Sequence, residues 1–358
     1  MSGFSLLSIS PLFFIALSAL LYTLCWSGAI ILLRLLPRMS AKRSKGLLFS
    51  AIVLPPVAAI ILAVGGIEIS SAAGMTMMHH SGLCGDIYHI MMNPSRELPR
   101  SLGISILFAI WGTIAWALVS VFRLLRTSFE LERGLTPYLQ PPSPRLREIV
   151  ERICVRLNVR NMPFFECEIP MTYSSLIGLH HVRCVLSREL ITASTDAELE
   201  GIVAHEASHM RAGDVWYSCI VGIMICMFFF LRPVRLLSIR WREEMELACD
   251  ASAVAATGRP LDMASAILRA QGVPLDTEPR RSTTPAFAEQ ASSASEMRVR
   301  RLLEYAEKSV YPSDNPRNNI WQWSATLLLA ALGLLALLSP QALCTAHCSL
   351  EIIGHTLH

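Results

Sequence analysis

The sequence predicts a mainly α-helical, polytopic membrane protein with four transmembrane helices and one cytoplasmic α+β domain. Three observations lead to this fold class. Of the 358 residues, 53% are hydrophobic and 16% are charged, whereas soluble domains average about 25% charged residues. Many of the hydrophobic residues form long runs with few charges. Between the third and the last of these runs, amphipathic helix and strand patterns predict a folded domain.

Charge and cysteine content exclude two other classes of protein. The formal net charge is +3 and no basic stripe with interleaved aromatic residues occurs, so we expect no direct binding of nucleic acid. Ten cysteines in a chain of 358 residues do not make a disulfide framework.

Four hydrophobic runs have the length of a transmembrane helix, which takes about 20 residues. These runs cover about 10–34, 47–67, 101–123 and 320–338. The first run is too long for a signal peptide, and no basic segment precedes it. Pro55 and Pro56 interrupt the second run and predict a kink.

The distribution of basic residues orients these helices. Segment 34–45 is basic and Arg123 closes the third run, so segment 34–45 and the region after Arg123 should be cytoplasmic under the positive-inside rule. Loop 68–100 has few basic residues and segment 318–358 has none, so both should be extracytoplasmic, with both termini outside. The expected domains are three helices in 1–126, a cytoplasmic domain in 127–317, and the fourth helix with its tail in 318–358.

The predicted cytoplasmic domain begins with clear local signals. Ser143-Pro144 is typical of a helix N-cap followed by proline at the first position. The helix after it has one apolar face, formed by Leu146, Ile149, Val150, Ile153 and Leu157. Two short strands are predicted at Phe164–Ile169 and Arg183–Leu186, with Ser174–Leu179 between them. Segment 275–297, rich in Pro, Ser, Thr and Ala, predicts a mobile loop.

A helix that carries a His-Glu-x-x-His motif follows. Thr195 and Glu198 have the spacing of a capping box, which predicts its start, and Gly213 is a plausible end. His205 and His209 are four residues apart, so both imidazoles can meet one metal ion on the same helix face. Glu206 lies beside them and is placed to polarise a water at that ion. This pattern is typical of a zinc metalloprotease.

A catalytic zinc site takes three protein ligands, and we expect the third to be Glu246. Asp250 is one helical turn further, on the same face, where a carboxylate can accept a hydrogen bond from a ligating imidazole. Asp214 is a second candidate for that role. Cys249 points about 100° away from Asp250 on a helix, so we interpret it as a packed thiol.

Residues 215–231 are almost purely hydrophobic, but they are not predicted to be a further transmembrane helix. His209 and Glu246 must both lie within about 2.2 Å of one ion, and segment 233–238 is too short to cross the membrane back. We therefore predict a membrane-associated helix that is re-entrant or buried in the protein.

This region resembles a known family. The similar residues are Ser174-Ser175-Leu176-Ile177-Gly178, Val185-Leu186, Glu198-Leu199, His205-Glu206-x-x-His209, Asp214, Arg232-Pro233, Met245-Glu246 and Cys249-Asp250. The chain resembles the membrane zinc metallopeptidases of the β-lactam sensor-transducer and antirepressor family. It is more distantly similar to stress-induced membrane peptidases and prenyl-protein proteases with the same gluzincin core.

The resemblance implies a gluzincin-like domain in a bacterial inner membrane. It implies Zn²⁺ bound by His205, His209 and Glu246, with Glu206 as the catalytic residue. Arg298 falls where related peptidases have a basic residue and is a weaker candidate. The short tail after the fourth helix leads us to expect no extracytoplasmic penicillin-binding sensor domain.

The predicted outer segments are rich in metal-binding side chains. Their candidate ligands are His79, His80, Cys84, His89, Cys344, His347 and Cys348. Imidazoles and thiols, together with nearby methionines, suit soft ions such as Cu(I) or Ag(I), which makes an external metal ion one candidate stimulus. In the alternative interpretation, the methionines pack against the membrane and Cys344 forms a disulfide with Cys348.

Together, the site and the resemblance predict an endopeptidase that signals across the membrane. Its expected partners are the lipid bilayer and a protein substrate such as a cytoplasmic transcriptional repressor, cleaved in response to an external signal. One alternative is a constitutive protease for membrane-protein quality control. Another is a receptor that signals by binding alone, against which the intact Glu206 argues. The sequence leaves self-association into a homo-oligomer open.

Overall fold

A computed structural model describes residues 4–36, 39–72, 100–159, 162–168, 173–270 and 285–308. Three long helices come first: α1 (Phe4–Leu35), α2 (Ala41–Ala72) and α3 (Arg100–Leu135). Each contains one of the first three predicted hydrophobic runs. The fourth run at 320–338 and the candidate ligands of the outer segments lie outside the described residues.

The transmembrane prediction is supported in part. Among the described residues, Ser18–Leu35 in α1 is long and apolar enough to cross a membrane, judged by length and composition. One pair of helices also passes this test together, although it is bent by 65° between Ala212 and Asp214. The arrangement of four transmembrane helices therefore stays a prediction.

Helix α1 packs along α2, and α2 continues through Pro55 and Pro56. Proline lacks the N–H group that would donate to the carbonyl four residues earlier, so Pro56 leaves the carbonyl of Ile52 without its helical partner. The hydroxyl of Tyr22, a fully buried residue of α1, donates a 2.7 Å hydrogen bond to this carbonyl. Tyr22 thus supplies the bond that the helix backbone cannot make.

A four-stranded sheet follows a short 3-10 helix at Thr136–Tyr138. Its strands are β1 (Leu139–Gln140), β2 (Phe164–Cys167), β3 (Ser174–Ile177) and β4 (Arg183–Ser187). The order is β1-β2-β4-β3, with β2 parallel to β4 and the other pairs antiparallel. Both predicted strands are confirmed, and the segment between them is a third strand. Because β3 is at an edge of the sheet, one side of its backbone has no neighbouring strand among the described residues.

Helix α4 (Pro144–Leu157) confirms the first helix prediction of the domain. The hydroxyl of Ser143 accepts a hydrogen bond from the backbone N–H of Leu146, and proline occupies the first turn. All five residues predicted for its apolar face are buried. Asn158, at φ 52°, ends the helix in the left-handed region, which asparagine tolerates better than most residues.

The remaining elements are helices. They are α5 (Arg188–Ala193), α6 (Asp196–Ala212), α7 (Asp214–Met227), α8 (Arg232–Thr257), α9 (Pro260–Ala270) and α10 (Pro285–Lys308). Helix α6 begins with both hydrogen bonds of the predicted capping box between Thr195 and Glu198, and it ends at Gly213 in the left-handed region. It packs against α4, α8 and α9, so most of its surface is buried and its side chains are held firmly.

Two predictions about segment bounds need adjustment. The helix predicted at 215–231 ends at Met227, and a short turn leads into α8. The predicted loop at 275–297 is wrong from Pro285 onwards, where α10 begins. Alanine favours helix, and four alanines between positions 286 and 294 outweigh the turn tendency of the serines.

Candidate metal centre

Helix α6 presents the two histidines of the motif to one point. Their Nε2 atoms are 3.1 Å apart, and both residues are buried. His205 and His209 are one helical turn apart, which places their rings on the same face. The capping box at one end of α6 and Gly213 at the other fix the length and direction of the helix, and so the place of both rings.

Glu246, on α8, completes a set of three potential ligands. Its Oε2 is 3.4 Å from Nε2 of His205, and its Oε1 is 3.7 Å from Nε2 of His209. Bonds of about 2.0–2.2 Å in a tetrahedron around zinc separate the ligand atoms by about 3.3–3.6 Å. The spacing and the chemistry of the donors therefore fit Zn²⁺, with space for a fourth ligand on the cleft side.

A carboxylate stands behind each imidazole. Nδ1 of His205 lies 2.9 Å from Oδ1 of Asp250, and Nδ1 of His209 lies 2.8 Å from Oδ2 of Asp214. Both aspartates are buried. A carboxylate accepts the Nδ1 proton of a ligating imidazole, which leaves the Nε2 lone pair for a metal. The structure thus brings Asp250 and Asp214, the two candidates for this role, within hydrogen-bonding distance of the imidazoles.

Arg298, a weak candidate from the sequence, lies on α10 against this site. Its Nε and Nη2 atoms each donate to Asp250 at 2.7 Å, and its Nη1 is 3.0 Å from Oε2 of Glu246. The guanidinium thus contacts Asp250, the partner of His205, and at the same time Glu246, one of the three potential metal ligands. Its planar fork matches this bidentate contact, which lysine would not reproduce.

Burial and charge act in opposite directions on the pKa values of these groups. Burial would raise the pKa values of Glu246 and Asp250, but contacts with His205 and Arg298 hold both below their ordinary range. Burial would lower the pKa of His205, but the neighbouring Asp250 and Glu246 raise it to about 10. A proton therefore competes with a metal ion at His205.

Lys45 contacts the site, although no pattern in the sequence indicates this contact. Its ammonium forms an ion pair with Oδ1 of Asp214. Burial would raise the pKa of Asp214, but the contacts with His209 and Lys45 hold it below its ordinary range. Lys45 belongs to the basic segment 34–45, whose charges were used only to orient the predicted membrane helices. Because Lys45 is far from Asp214 in the sequence, no local pattern indicates that the two residues meet.

Cys249 lies near Nδ1 of His209, and together with His209 and Asp214 it forms a second possible metal site. Its Sγ is 3.3 Å from Nδ1 of His209 and 3.6 Å from Oδ2 of Asp214. Two observations disfavour a cation among these three residues. The ammonium of Lys45 would repel it, and burial together with Asp214 raises the pKa of the Cys249 thiol well above its usual value. Because the thiolate is the metal-binding form, Cys249 fits a packed, neutral thiol.

Glu206 is buried beside the ligand set. Its Oε1 accepts a 2.9 Å hydrogen bond from the hydroxyl of Ser174, the first residue of the edge strand β3. This contact fixes the carboxylate relative to the sheet. Ser174 was quoted from the sequence only as part of the family resemblance, because nothing in its local context indicates contact with Glu206.

A cavity of about 590 Å³ opens over these residues. Strand β3 forms one wall and the C-terminal half of α3 another, while α6, α7, α8, α9 and Arg298 of α10 contribute further lining residues. Its apolar side chains are Leu124, Leu131, Leu176, Ile177, Leu179, Ile202, Val215, Met245, Met263, Ala266 and Ile267. The polar groups of the site are therefore gathered at one side of a largely apolar cleft.

Gly178 shapes the end of the strand that borders this cleft. Its φ of +86° lies in the left-handed region, and a Cβ there would be 2.5 Å from the carbonyl oxygen of His181. Only glycine fits such a turn without displacing the backbone. The turn between β3 and β4 therefore depends on this residue.

Comparisons with known proteins agree with this geometry. The family profile described as BlaR1 peptidase M56 matches residues 17–299. A protease HtpX homolog of Bacteroides fragilis is 26% identical over 135 residues, which are 37% of this chain and 41% of that protein. A protease HtpX homolog of Thermoanaerobacter pseudethanolicus is 26% identical over 142 residues, 37% of this chain and 48% of that protein. The match thus spans less than half the length of these curated relatives.

Proposed function

The chain belongs to the M56 peptidase family, that of the BlaR1 peptidase, and on this premise we propose that it is a membrane-bound, zinc-dependent endopeptidase. One observation carries the proposal. Two imidazole nitrogens and the carboxylate of Glu246 converge at distances of 3.1–3.7 Å, next to the buried Glu206. This arrangement has the ligands and the adjacent carboxylate that a zinc peptidase needs.

The residues of the chain have distinct tasks in this reaction. Zinc, when bound, supplies a Lewis acid that polarises a carbonyl and lowers the pKa of water towards ~7. Glu206 has one oxygen engaged by Ser174, so its Oε2 accepts the proton of the attacking water. The same carboxylate then delivers this proton to the nitrogen of the leaving amine. Asp250 and Asp214 keep the two imidazoles in the tautomer that presents Nε2 to the metal.

We propose that a peptide substrate binds in extended form along β3. The strand is at the edge of the sheet, lines the cleft, and carries Ser174 next to Glu206. Backbone hydrogen bonds to an edge strand bind a peptide with little dependence on its sequence, and pockets for alternate side chains then provide selectivity. The apolar walls of the cleft favour apolar side chains there.

In the cell, we propose that the enzyme transduces an external signal by cleaving a cytoplasmic regulatory protein such as a transcriptional repressor. The support is membership of the family of the BlaR1 peptidase. A candidate stimulus is a soft metal ion bound at residues such as His79, His80 and Cys84. Titration of the full chain with Ag(I) tests this stimulus, and binding that is unchanged when these three residues become alanine would discard it.

A second candidate function is constitutive quality control of membrane proteins. The observation that favours it is the similarity to relatives named as protease HtpX homologs. A receptor without catalysis is the third possibility, and the placement of Glu206 beside the ligand set argues against it.

One experiment separates these functions. Cells that express the wild-type protein are compared with cells that express Glu206→Gln, by mass spectrometry of protein termini, with and without candidate stimuli. A signal transducer should yield one new terminus in a cytoplasmic regulator, only in stimulated wild-type cells. Constitutive cleavage of many membrane proteins would support quality control instead. Cleavage that persists in Glu206→Gln would overturn the peptidase proposal.

A further inference from the structure

Helix α2 precedes the sheet and helices of the peptidase domain in the chain, and its residue Lys45 contacts the metal centre. The ammonium of Lys45 is paired with one oxygen of Asp214, and the other oxygen of Asp214 lies 2.8 Å from Nδ1 of His209. The side chain of Lys45 is 14% exposed and that of Asp214 is 3% exposed. A continuous line of contacts therefore joins the first turns of α2 to an expected zinc ligand.

We propose that Lys45 is a positioning residue of the metal centre, which couples helix α2 to His209 through Asp214. This inference rests on the proposed zinc site and adds a regulatory connection to it.

The physical argument concerns the orientation of a buried carboxylate. Asp214 can rotate about its Cβ–Cγ bond unless both of its oxygens are engaged. Lys45 engages Oδ1, which leaves Oδ2 directed at the imidazole of His209. Because the ring is held through Nδ1, its Nε2 stays directed at the point where His205 and Glu246 meet. Residues that hold a metal ligand in this way affect metal affinity without touching the metal.

The packing of α2 gives this connection a mechanical basis. Leu48 and Ile52 of α2 pack in one buried cluster with Val221 of α7 and with Leu237 and Trp241 of α8. Asp214 begins α7, and α8 carries Glu246, so α2 lies against both helices that complete the site. A shift of the first turns of α2 would withdraw the ammonium from Asp214 and change the site.

Tyr22 adds a second point of contact further along α2. Its hydroxyl is bound to the carbonyl of Ile52, and its ring packs edge-on against Phe228 at a centroid distance of 5.2 Å. Phe228 directly follows α7. Both ends of α7 are thus tied to the α1–α2 pair, one by charge and the other by packing.

Zinc affinity of the full chain in detergent tests the proposal. The variant is Lys45→Met, and the matched control is Arg43→Met, which removes one positive charge from an exposed position in the same part of α2. Competition with a chromophoric chelator gives the dissociation constant, and the visible spectrum of the Co²⁺-loaded protein reports ligand geometry. We expect Lys45→Met to bind zinc about tenfold more weakly, at the lower end of the effect of such indirect contacts, with a shifted Co²⁺ spectrum. Arg43→Met should match the wild type in both.

A double-mutant cycle shows whether the effect passes through Asp214. If it does, Lys45→Met combined with Asp214→Asn should bind zinc no more weakly than Asp214→Asn alone. Effects that multiply, or a Lys45→Met affinity equal to that of the wild type, would overturn the proposal. If Lys45→Met gives no cooperative melting transition, Lys45→Arg and Lys45→Gln replace it. Arginine should then retain zinc affinity and glutamine should lose it, and equal affinities would overturn the proposal.

The same measurements separate this proposal from the proposed function. A wild-type protein that binds zinc but cleaves no peptide contradicts the endopeptidase and leaves the role of Lys45 standing. A wild-type protein that cleaves peptides, with Lys45 variants that bind zinc normally, contradicts the role of Lys45 alone.

Discussion

Replacement of Arg298 by methionine should destabilise the protein strongly. The guanidinium makes two 2.7 Å contacts with Asp250, and a further contact of 3.0 Å with Glu246. Methionine keeps most of the apolar volume but removes the guanidinium, so Asp250, which is 3% exposed, would stay buried next to His205 without its bidentate partner. Breaking a buried ion pair from one side costs about 3–5 kcal/mol.

The lower end of this range applies, because Arg298 is 18% exposed and water can replace part of its contact. We therefore expect a loss of about 3 kcal/mol, which for a domain of 150–250 residues lowers the melting temperature by about 6–12 °C. The assay is thermal unfolding of the full chain in detergent after removal of metal with a chelator. Removal of the metal matters because zinc would add its own stabilisation by binding only the folded state.

The matched control is Arg300→Met, an exposed arginine two positions further on the same helix. It should melt within about 1–2 °C of the wild type, as most surface substitutions do. A combined Arg298→Met and Asp250→Asn variant should be less destabilised than the sum of the two changes, because the asparagine no longer carries the unpaired charge. Equal melting temperatures for Arg298→Met and Arg300→Met would refute the reasoning.

Three further predictions concern other parts of the site and its support. Ser174→Ala should lower kcat for a peptide about tenfold while zinc affinity stays unchanged, because one oxygen of Glu206 loses its partner; an unchanged kcat would show that the contact is unimportant. Gly178→Ala should destabilise the folded state by about 1–3 kcal/mol and lower the melting temperature accordingly, whereas Gly134→Ala, where an added Cβ would meet no atom within 4 Å, should not; equal melting temperatures of the two variants would contradict the strained turn. Burial would raise the pKa of Glu198, but hydrogen bonds from Ser265, the backbone N–H of Thr195 and Arg269 outweigh this effect and lower the pKa. Because the folded-state pKa is depressed, the stability that the carboxylate contributes is present above its unfolded pKa of about 4.3 and is lost as the pH falls through the folded value. The melting temperature of Glu198→Gln should therefore differ from that of the wild type most above about pH 5 and approach it in acid; a difference independent of pH would rule this out.

Local chemistry made much of the domain predictable from the sequence. The cap at Ser143, the capping box at Thr195 and the end at Gly213 each depend on a few neighbouring residues, so the helix bounds followed from short patterns. The three expected ligands likewise follow from helical spacing and from the need for a third donor. In contrast, the alanine-rich start of α10 had competing signals, and the serines led to an incorrect loop.

The contacts of Lys45, Ser174 and Arg298 were not predictable in the same way. Lys45 and Asp214 are 169 positions apart, and Ser174 and Glu206 are 32 apart, so their contacts depend on how separate elements pack. No periodicity within one helix or strand contains this information. The expected transmembrane helices in α2 and α3 illustrate a related limit, because hydrophobicity predicts a helix but does not distinguish lipid from protein as its surroundings.

The formal charges of the centre explain why these distant cations are present. The site residues predicted from the sequence include four carboxylates, those of Glu206, Asp214, Glu246 and Asp250. With neutral imidazoles and a bound Zn²⁺, these groups alone would leave two uncompensated negative charges in a largely buried site, which is highly unfavourable. Lys45 and Arg298 supply two positive charges and make the centre neutral. Each cation pairs with the carboxylate behind one of the two histidines.

This charge balance extends what a sequence can predict about a buried metal site. A site with more carboxylates than its metal can neutralise must recruit cations from elsewhere in the chain. The four carboxylates therefore implied two further basic residues, although their spacing did not identify which ones. Neutrality also predicts that the two substitutions compensate. The loss of stability caused by removing either cation should be smaller when the aspartate that it contacts is replaced by asparagine. If replacing the aspartate by asparagine does not reduce the loss of stability at either position, the two cations act through packing instead of charge.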